Sequence, residues 1–323
     1  MAELDPTPIV IGGRASPLAV WQSRLVQTEL RHRHAGAAES AFPIVNITSE
    51  ADVDQTTPLS QFSNKGVFTR HLDRALMSGQ IRLAVHSFKD LPTILPEGVM
   101  LAAVLDRKHK HDVVVLRDSV SSLNHLPSGT RIGTSSVRRR ALLRRHHPHI
   151  ECVDIRGNIQ TRLTLIDQGR VDGVILAAAA LHRLNMDAMI SIHLTDWPYA
   201  VSQGALAVVC RDDDQRAYRE AHSLNDAGTA LVCVAERALL RTLEGGCKVP
   251  IGVNAKLVDG VMTIYGAVIG LDGEQMIEET LSGSCLTQPE ADRLGQNLGL
   301  ALKDKGATSL LRQIRSEIDS QTL

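Results

Sequence analysis

Apolar runs alternate with amphipathic stretches along the first third of the chain. Residues 8–13 and 42–48 are predicted to be strands, with a helix between them. Residues 66–79 have apolar side chains at helical spacing, and residues 81–87 read as an apolar strand that ends in polar residues. This β-α-β-α-β order predicts a mostly parallel sheet. Ligands of such sheets bind at the carboxyl ends of the strands, where the sequence places Arg14, Ser16, Lys89 and Asp90.

A polar stretch at residues 106–112 interrupts this pattern and indicates a domain boundary. A second α/β unit follows, and its last strand is predicted over residues 171–181. Polar groups again follow predicted strands, as Thr134-Ser135-Ser136 and as Arg156-Gly157-Asn158. No internal sequence repeat is visible. Two similar α/β units joined by crossing segments, one of them the strand-like run 199–211, still predict a two-lobed ligand-binding protein with a cleft between the lobes.

The last hundred residues have a different pattern. An apolar helix is predicted over residues 229–246, where two glycines end it. Two Asp-Gly turns between β-rich runs then predict an antiparallel meander. A helix opening at Pro289 and a further apolar pattern up to Ile318 complete a third domain of α+β type.

Composition and charge exclude several classes of protein. The 323 residues include 43% apolar and 22% charged residues, as in ordinary globular proteins, which excludes a disordered or fibrous chain. The net charge of −1 argues against a protein that coats nucleic acid or an anionic membrane. No apolar run approaches the length of a transmembrane helix, and the acidic start does not resemble a signal peptide, so we expect an intracellular protein.

The neutral balance hides an excess of arginine. The chain has 27 arginines but 8 lysines, and nine of the arginines lie between residues 131 and 170. The planar guanidinium group suits carboxylate and phosphate, so this excess predicts a local anion site. Each basic residue taken singly has a plainer alternative: Arg14 on the surface beside a capping Ser16, Lys89 and Asp90 as an exposed ion pair, and Arg156 and Arg162 in structural salt bridges.

The five cysteines are widely spaced, which fits neither a disulfide scaffold nor a zinc site. Cys247 differs from the others because it follows two glycines in a loop and precedes Lys248. A loop thiol beside a cation can act as a nucleophile, but a structural role stays open on these residues alone. The histidines at 109, 111, 146, 147 and 149 are irregularly spaced, so we expect no metal site.

Taken together, these segments resemble the porphobilinogen deaminase family, also called hydroxymethylbilane synthases. The most specific motifs are HSFKDLP at 86–92, GTSSVRR at 133–139 and LEGGCKVPIG at 243–252, and the likeness covers nearly the whole chain. It implies two lobes of the type II periplasmic-binding-protein kind and a C-terminal α+β domain with a three-stranded antiparallel sheet. The implied domains are residues 1–107 with 204–224, residues 108–203, and residues 225–323.

The resemblance also implies a chemistry. Members of the family join four porphobilinogen molecules head to tail, release four ammonia molecules and form hydroxymethylbilane in tetrapyrrole and haem biosynthesis. Their primer is a dipyrromethane cofactor in thioether linkage, for which Cys247 matches the anchor. Asp90 matches the catalytic aspartate, whose carboxylate stabilises a cationic azafulvene. Other positions match family residues that bind the acetate and propionate groups: Arg14, Ser16, Lys65, Lys89, Thr134, Ser135, Ser136, Arg138, Arg139, Arg156 and Arg162. Gln203 matches a cleft position.

The sequence departs from the family pattern at a few loop positions. Relatives usually have threonine at Gly13, lysine at Gln61 and glycine at Ser202, and the usual glycine-rich loop before Lys65 is Phe62-Ser63-Asn64 here. The loop 48–58 is one residue longer than the common pattern. These departures leave Asp90, Cys247 and the arginines in place, so we expect an active enzyme.

Two other functions were weighed. A non-catalytic two-lobed protein for a small polycarboxylate would explain the arginines, but it explains neither the third domain nor Cys247. A nucleic-acid binder acting through the basic helix after Ser136 would show salt-sensitive affinity, which the neutral net charge argues against. We therefore expect a monomeric cytoplasmic enzyme whose partner is porphobilinogen, with neither nucleic acid nor membrane as a partner. A processed organellar form would have the same sequence features.

Overall fold

The computed structural model describes residues 7–48, 69–118, 120–243 and 249–320. This part of the chain forms two compact units. The first holds the chain up to Lys108 together with Gly204–Ala230, and the second holds His109–Gln203 and the chain from Leu231 onward. The second unit contains two separate sheets. The division into three domains, with the bounds given above, stays a prediction.

The first unit is built on a five-stranded sheet. Its strands are β1 (Ile11–Arg14), β2 (Ile44–Ile47), β3 (Leu83–Ser87), β4 (Val99–Leu105) and β10 (Leu206–Arg211), in the order β2-β1-β3-β10-β4. Its helices are α1 (Pro17–Arg33), α2 (Arg70–Met77) and α6 (Gln215–His222), with short 3-10 helices at Glu39–Ala41 and Phe88–Asp90. The strands β1, β2 and β3 are parallel, and β10 runs antiparallel to both of its neighbours.

A second five-stranded sheet repeats this arrangement. Its strands are β5 (Asp112–Leu116), β6 (Arg131–Gly133), β7 (Glu151–Val153), β8 (Gly173–Ala177) and β9 (Ile192–Leu194), in the order β7-β6-β8-β5-β9. Its helices are α3 (Val137–His146), α4 (Ile159–Asp167) and α5 (Ala178–Arg183), with 3-10 helices at Leu123–His125 and Asp187–Met189. Here β5 is the antiparallel strand in the fourth position. Each sheet thus has the type II periplasmic-binding-protein topology, which confirms the predicted fold class.

Two sequence predictions about these sheets need correction, and strands β4 and β9 were not predicted. The apolar run 171–181 was read as one strand, but β8 ends at Ala177 and α5 begins at Ala178. In the strand-like run 199–211, residues 201–204 form a turn, and the strand begins at Leu206. The run 171–181 illustrates that a continuous apolar sequence shows that a segment is buried without showing which backbone conformation it has.

The third sheet is the predicted antiparallel meander. Its strands are β11 (Ile251–Val258), β12 (Val261–Ile269) and β13 (Met276–Ser284). At the first turn, Asp259 and Gly260 both have positive φ, 48° and 76°, as a tight hairpin turn requires. The helices are α7 (Ala227–Thr242), α8 (Gln288–Asp304) and α9 (Ala307–Ser320). A capping box between Thr287 and Glu290 starts α8.

Close packing of α7 against α8 depends on glycine. A Cβ atom at Gly295 would lie 2.0 Å from the carbonyl oxygen of Ala235, so no other residue fits there without moving the backbone. The buried face of α7, including Leu239, shares one apolar core with β11, β12 and the last two helices. Among the described helices, none combines the length and apolarity needed to cross a membrane.

Candidate functional site

The carboxyl ends of β1 and β3 bring four of the predicted site residues to one edge of the first sheet. These strands are adjacent and parallel, with Ile11 opposite Leu83. Arg14 ends β1, and Ser16 caps α1 by accepting a hydrogen bond from the Ala19 N–H at 3.4 Å. The half-buried residues of the site are Arg14, Ser16, Lys89 and Asp90.

Asp90 is held at this edge by a short 3-10 helix, Phe88–Asp90, that directly follows β3. The buried Phe88 side chain fixes this turn, and the Phe88 N–H donates to the Ala205 carbonyl oxygen at 3.0 Å. The Gln22 side chain of α1 donates to the Ser87 hydroxyl at 2.9 Å. The backbone that carries Lys89 and Asp90 is therefore fixed from both sides, which is the arrangement that a catalytic carboxylate requires.

His86 is a buried neighbour that the sequence reasoning did not single out. It lies in β3 with 4% of its surface exposed. Burial, together with the positive charge of Arg14, lowers the pKa of His86 to about 4. The imidazole is therefore neutral at neutral pH and leaves Arg14 as a positive group at this edge. The histidine is the first residue of the motif HSFKDLP and lies at the end of an apolar strand, directly before the polar turn. This position was the sequence signal that His86 is buried near the site.

In the second sheet, the hydroxyl residues after β6 form the start of α3. The buried Thr134 donates its N–H to the Val153 carbonyl oxygen at 2.9 Å, and its hydroxyl accepts from the Ser136 N–H at 3.2 Å. Ser136 is the N-cap of α3 and accepts from the Arg139 N–H. Ser135 and Ser136 are half-buried. A helix N-terminus with hydroxyl groups favours a negatively charged group. That these residues bind a ligand anion stays a prediction.

Arg156 and Arg162 follow the neighbouring strand β7. Both are half-buried, and the Arg162 Nε donates to the Gly157 carbonyl oxygen at 2.9 Å. Burial, together with the positive charges of Arg139 and Arg156, lowers the pKa of Arg162 to about 10, and Asp154 opposes this shift only in part. Cations thus outnumber anions around Arg162, and a carboxylate of a ligand would be stabilised here.

Arg138 and Arg139 meet Asp112, the first residue of β5. Arg138 donates from Nη1 to Asp112 Oδ2 at 2.8 Å, and Arg139 donates from Nη2 to Oδ1 at 2.7 Å. Gln203 donates from Nε2 to the same Oδ1 at 2.8 Å. Burial by itself would raise the pKa of Asp112, but the two guanidinium groups hold it well below its ordinary value. Sequence reasoning missed Asp112 because it stood in a polar stretch taken for a boundary.

The structure therefore brings Arg14, Ser16, Lys89 and Asp90 together in the first unit. It brings a second set together in the second unit: Thr134, Ser135, Ser136, Arg138, Arg139, Arg156, Arg162 and Gln203. Lys65 and Cys247 lie outside the described residues, as do the departures at Gln61, Ser63 and Asn64. In the part of the chain that is described, no group of three or more His, Cys, Asp and Glu side chains is placed to hold a metal ion.

These features define a class of protein: an α/β protein of binding-protein topology, with cationic and hydroxyl side chains at strand ends of both sheets and Asp90 on a short turn after β3 of the first sheet. The model for the dipyrromethane cofactor-binding domain of porphobilinogen deaminase matches residues 9–219, and the model for the C-terminal domain of that enzyme matches residues 230–304. The chain therefore belongs to the porphobilinogen deaminase family, whose members are hydroxymethylbilane synthases with a dipyrromethane cofactor.

Relatives support this over the full length. The chain is 42% identical to porphobilinogen deaminase of Synechococcus elongatus, with 97% of this chain and 98% of the relative covered. It is 39% identical to the porphobilinogen deaminase of Syntrophobacter fumaroxidans, with 95% and 97% covered. It is 36% identical to that of Chloroherpeton thalassium, with 96% and 98% covered.

Solved structures that resemble the chain are more distant. One is a TRAP periplasmic solute binding protein from Desulfovibrio salexigens, with 11% identity, a TM-score of 0.40, and 68% of this chain and 73% of that chain covered. Another is a putative methionine-binding lipoprotein from Bacillus subtilis, with 10% identity, a TM-score of 0.41, and 69% and 92% covered. The fold assignment rests on the strand order of the two sheets.

Proposed function

We propose that this chain carries out the reaction of its family, in which four porphobilinogen molecules are joined head to tail with release of four ammonia molecules. Water then frees the product, hydroxymethylbilane. The observation that carries the proposal is the position of Asp90 on a fixed backbone turn beside a cationic strand edge, in a chain that matches the family over nearly its full length. Tetrapyrrole and haem biosynthesis is the pathway that this product serves.

Asp90 is the proposed catalytic residue. When the aminomethyl nitrogen of porphobilinogen leaves as ammonia, positive charge develops on the pyrrole, and a fixed carboxylate stabilises that charge without first having to reorganise. The same carboxylate can hold pyrrole N–H groups and assist loss of the proton from the attacked ring. The short turn after β3 gives Asp90 the fixed position that this role needs.

The remaining predicted residues are proposed to hold acetate and propionate groups. Each pyrrole ring carries two carboxylates, so a growing chain needs many cationic and hydrogen-bonding partners. In the first unit these are Arg14, Ser16 and Lys89, to which the proposal adds Lys65. In the second unit they are Thr134, Ser135, Ser136, Arg156 and Arg162.

Arg138, Arg139 and Gln203 require a distinction. All three were predicted as binding residues, and all three already hydrogen-bond to Asp112 with buried side chains. Arg138 also donates to the Pro198 carbonyl oxygen at 2.7 Å. Direct contact of any of the three with a ligand stays a prediction. The geometry supports a role through the cluster around Asp112.

The residues present fit a cofactor that bears carboxylates. The Nε atoms of Arg138 and Arg139 are buried and have no hydrogen-bond acceptor within the described residues. A dipyrromethane group supplies the terminal pyrrole to which the first substrate is joined. Cys247 is its proposed anchor, through a thioether bond. The protein is further proposed to be a monomer in the cytoplasm. It is proposed to have neither nucleic acid nor membrane as a partner, and the net charge of −1 supports this last point.

Intact mass spectrometry of the purified protein tests the proposal. We expect the mass to exceed that of the unmodified chain by one dipyrromethane, and a pink colour with an acidic aldehyde reagent. Cys247→Ser should abolish both signals. Cys152→Ser, at a half-buried thiol of the second sheet, is the matched control and should keep them. A folded, unmodified protein that consumes no porphobilinogen would contradict the enzyme assignment, and a normal holo mass in Cys247→Ser would contradict the anchor.

A further inference from the structure

Asp112, Arg138, Arg139 and Gln203, named here the Asp112 cluster, form a buried charge network in the second unit. The exposed fractions of the side chains are 0% for Asp112, 4% for Arg138 and 7% for Arg139. Both carboxylate oxygens are used, because one accepts from Arg138 and the other from Arg139 and Gln203. One carboxylate therefore holds two guanidinium groups and an amide in place.

The charges of this cluster do not balance. Two guanidinium groups face a single carboxylate, and the further acceptors are the neutral carbonyl oxygens of Pro198 and Ile175. A buried unpaired charge lowers the free energy of unfolding by on the order of several kcal/mol unless a counter-ion compensates it. The buried Nε atoms of the two arginines also lack acceptors within the described residues. The cluster thus keeps one positive charge and two donors that a ligand anion could satisfy.

The position of the cluster connects it with the predicted ligand residues. Arg138 and Arg139 lie in the first turn of α3, directly after the capping Ser136. The charge of Arg139 also acts on Arg162. The excess positive charge is therefore next to the helix N-terminus, where an anion is favoured in any case.

We propose that Asp112 is a positioning residue for ligand carboxylates: it fixes Arg138 and Arg139 in one geometry and neutralises only one of their two charges. The second charge is then available to an acetate or propionate group of the pyrrole chain. Asp112 itself does not touch the ligand. This inference rests on the proposed function, because that function supplies the polycarboxylate.

The first unit provides a matched control for this idea. Asp214 is also buried, and it accepts from the Arg82 side chain through both carboxylate oxygens and from the Ala217 N–H at 3.0 Å, which caps α6. Here one carboxylate faces one guanidinium group, so no charge is left over. Loss of the Asp214 carboxylate should therefore reduce stability and leave ligand binding unchanged.

The test compares Asp112→Asn with Asp214→Asn in the full chain. Three quantities are measured for each: the fraction of protein carrying the cofactor mass, the melting temperature, and kcat and KM for porphobilinogen. For Asp112→Asn we expect a cofactor fraction at least twofold lower and a KM raised about tenfold, with kcat changed less than KM, because the arginines lose the group that orients them. For Asp214→Asn we expect a lower melting temperature with KM and cofactor fraction within twofold of wild type.

Asp112→Glu covers the case in which Asp112→Asn does not fold. It keeps the charge but moves the carboxylate by about one methylene, so we expect a KM between those of wild type and Asp112→Asn, or raised severalfold if the asparagine variant is not folded. Equal KM values in wild type and in the folded Asp112 variants would overturn the proposal, as would a KM raised equally by Asp214→Asn. A wild-type protein with neither cofactor mass nor turnover would overturn the proposed function, and the role of Asp112 with it.

Discussion

In both α/β sheets a strand passes through a glycine into a serine that caps the next helix. The residues are Gly12 and Ser16 in the first sheet, and Gly133 and Ser136 in the second. A Cβ atom at either glycine would lie within 3 Å of an isoleucine side chain, namely Ile81 or Ile155. The two sheets therefore share both the strand order and the local packing of their first strand-to-helix connection.

The sheets differ at the strand in the centre. In the first sheet β3 continues into the polar turn that carries Lys89 and Asp90. In the second sheet the equivalent strand β8 continues into α5, where Ala178, Ala179 and Leu181 are buried. After this strand the first unit presents Lys89 and Asp90, whereas the second unit presents buried apolar side chains. Both units have cations and hydroxyl groups at the neighbouring connections. Chemical specialisation lies in the residues after the strands, whereas the topology is shared.

The largest expected effect is on Asp90. Asp90→Asn removes the charge that distinguishes the first sheet, so kcat should fall by more than about 100-fold, because removal of one preorganised electrostatic group typically costs that much. The cofactor mass should be retained. Asp106→Asn, at an exposed carboxylate after β4, is the control and should keep full turnover. An Asp90→Asn variant with most of its activity would show that the asymmetry between the sheets has no catalytic meaning.

A second prediction concerns acid stability. His86 in β3 occupies the position that Leu176 has in β8. The pKa of buried His86 is lowered from 6.5 to about 4, so the folded state favours the neutral ring. The resulting stability is fully present above pH 6.5 and is lost as the pH falls from 6.5 to 4. By linkage this loss is roughly 3 kcal/mol at pH 4.

His86→Leu should remove this contribution. Urea unfolding at pH 7 and at pH 4 measures it, and the drop in unfolding free energy between these pH values should be smaller in the variant by that amount. His125→Leu, at an exposed histidine of the second unit, should leave the wild-type drop unchanged. The same pH dependence in wild type and His86→Leu would show that His86 titrates normally.

The smallest predicted effect concerns the connections into the two antiparallel strands. The chain enters β10 through Ser202, which has a φ of 60°, whereas no residue from 106 to 111 before β5 has a positive φ. This conformation costs a residue with a side chain roughly 1–2 kcal/mol, while glycine avoids the cost but loses more entropy on folding. The glycine that relatives usually have at this position follows from that backbone geometry.

Ser202→Gly should therefore raise the unfolding free energy by about 0.5 kcal/mol, the difference between these two terms. The Ser202 hydroxyl has no hydrogen-bond partner within the described residues, so its removal should cost little. The Ser202 N–H donates to the buried Glu236 at 2.7 Å, and this hydrogen bond is kept in the variant. Chemical denaturation of both proteins measures the change, and a less stable glycine variant would contradict the strain argument. Ser202→Ala, which retains the side-chain constraint, should show no gain.

The sequence by itself determined the type of most elements and indicated most of the candidate site residues. The Asp-Gly turns specified the meander of β11, β12 and β13, because a tight hairpin turn needs residues that tolerate a positive φ. Polar residues directly after apolar strands indicated Asp90 and Ser136, because the carboxyl ends of parallel strands lie at one edge of a sheet. These are local signals, and each depends on a few neighbouring residues.

Only the tertiary structure decided the rest. The antiparallel position of β10 in the first sheet depends on a strand distant in sequence. The Asp112 cluster joins residues up to 91 positions apart, and nothing near Asp112 in the sequence marks it as the partner of Arg138 and Arg139. The free energy of a charged group depends on which partners burial places around it. Local sequence patterns therefore identified the arginines, and the fold decided which of them are neutralised inside the protein and which positive charge is left for a ligand.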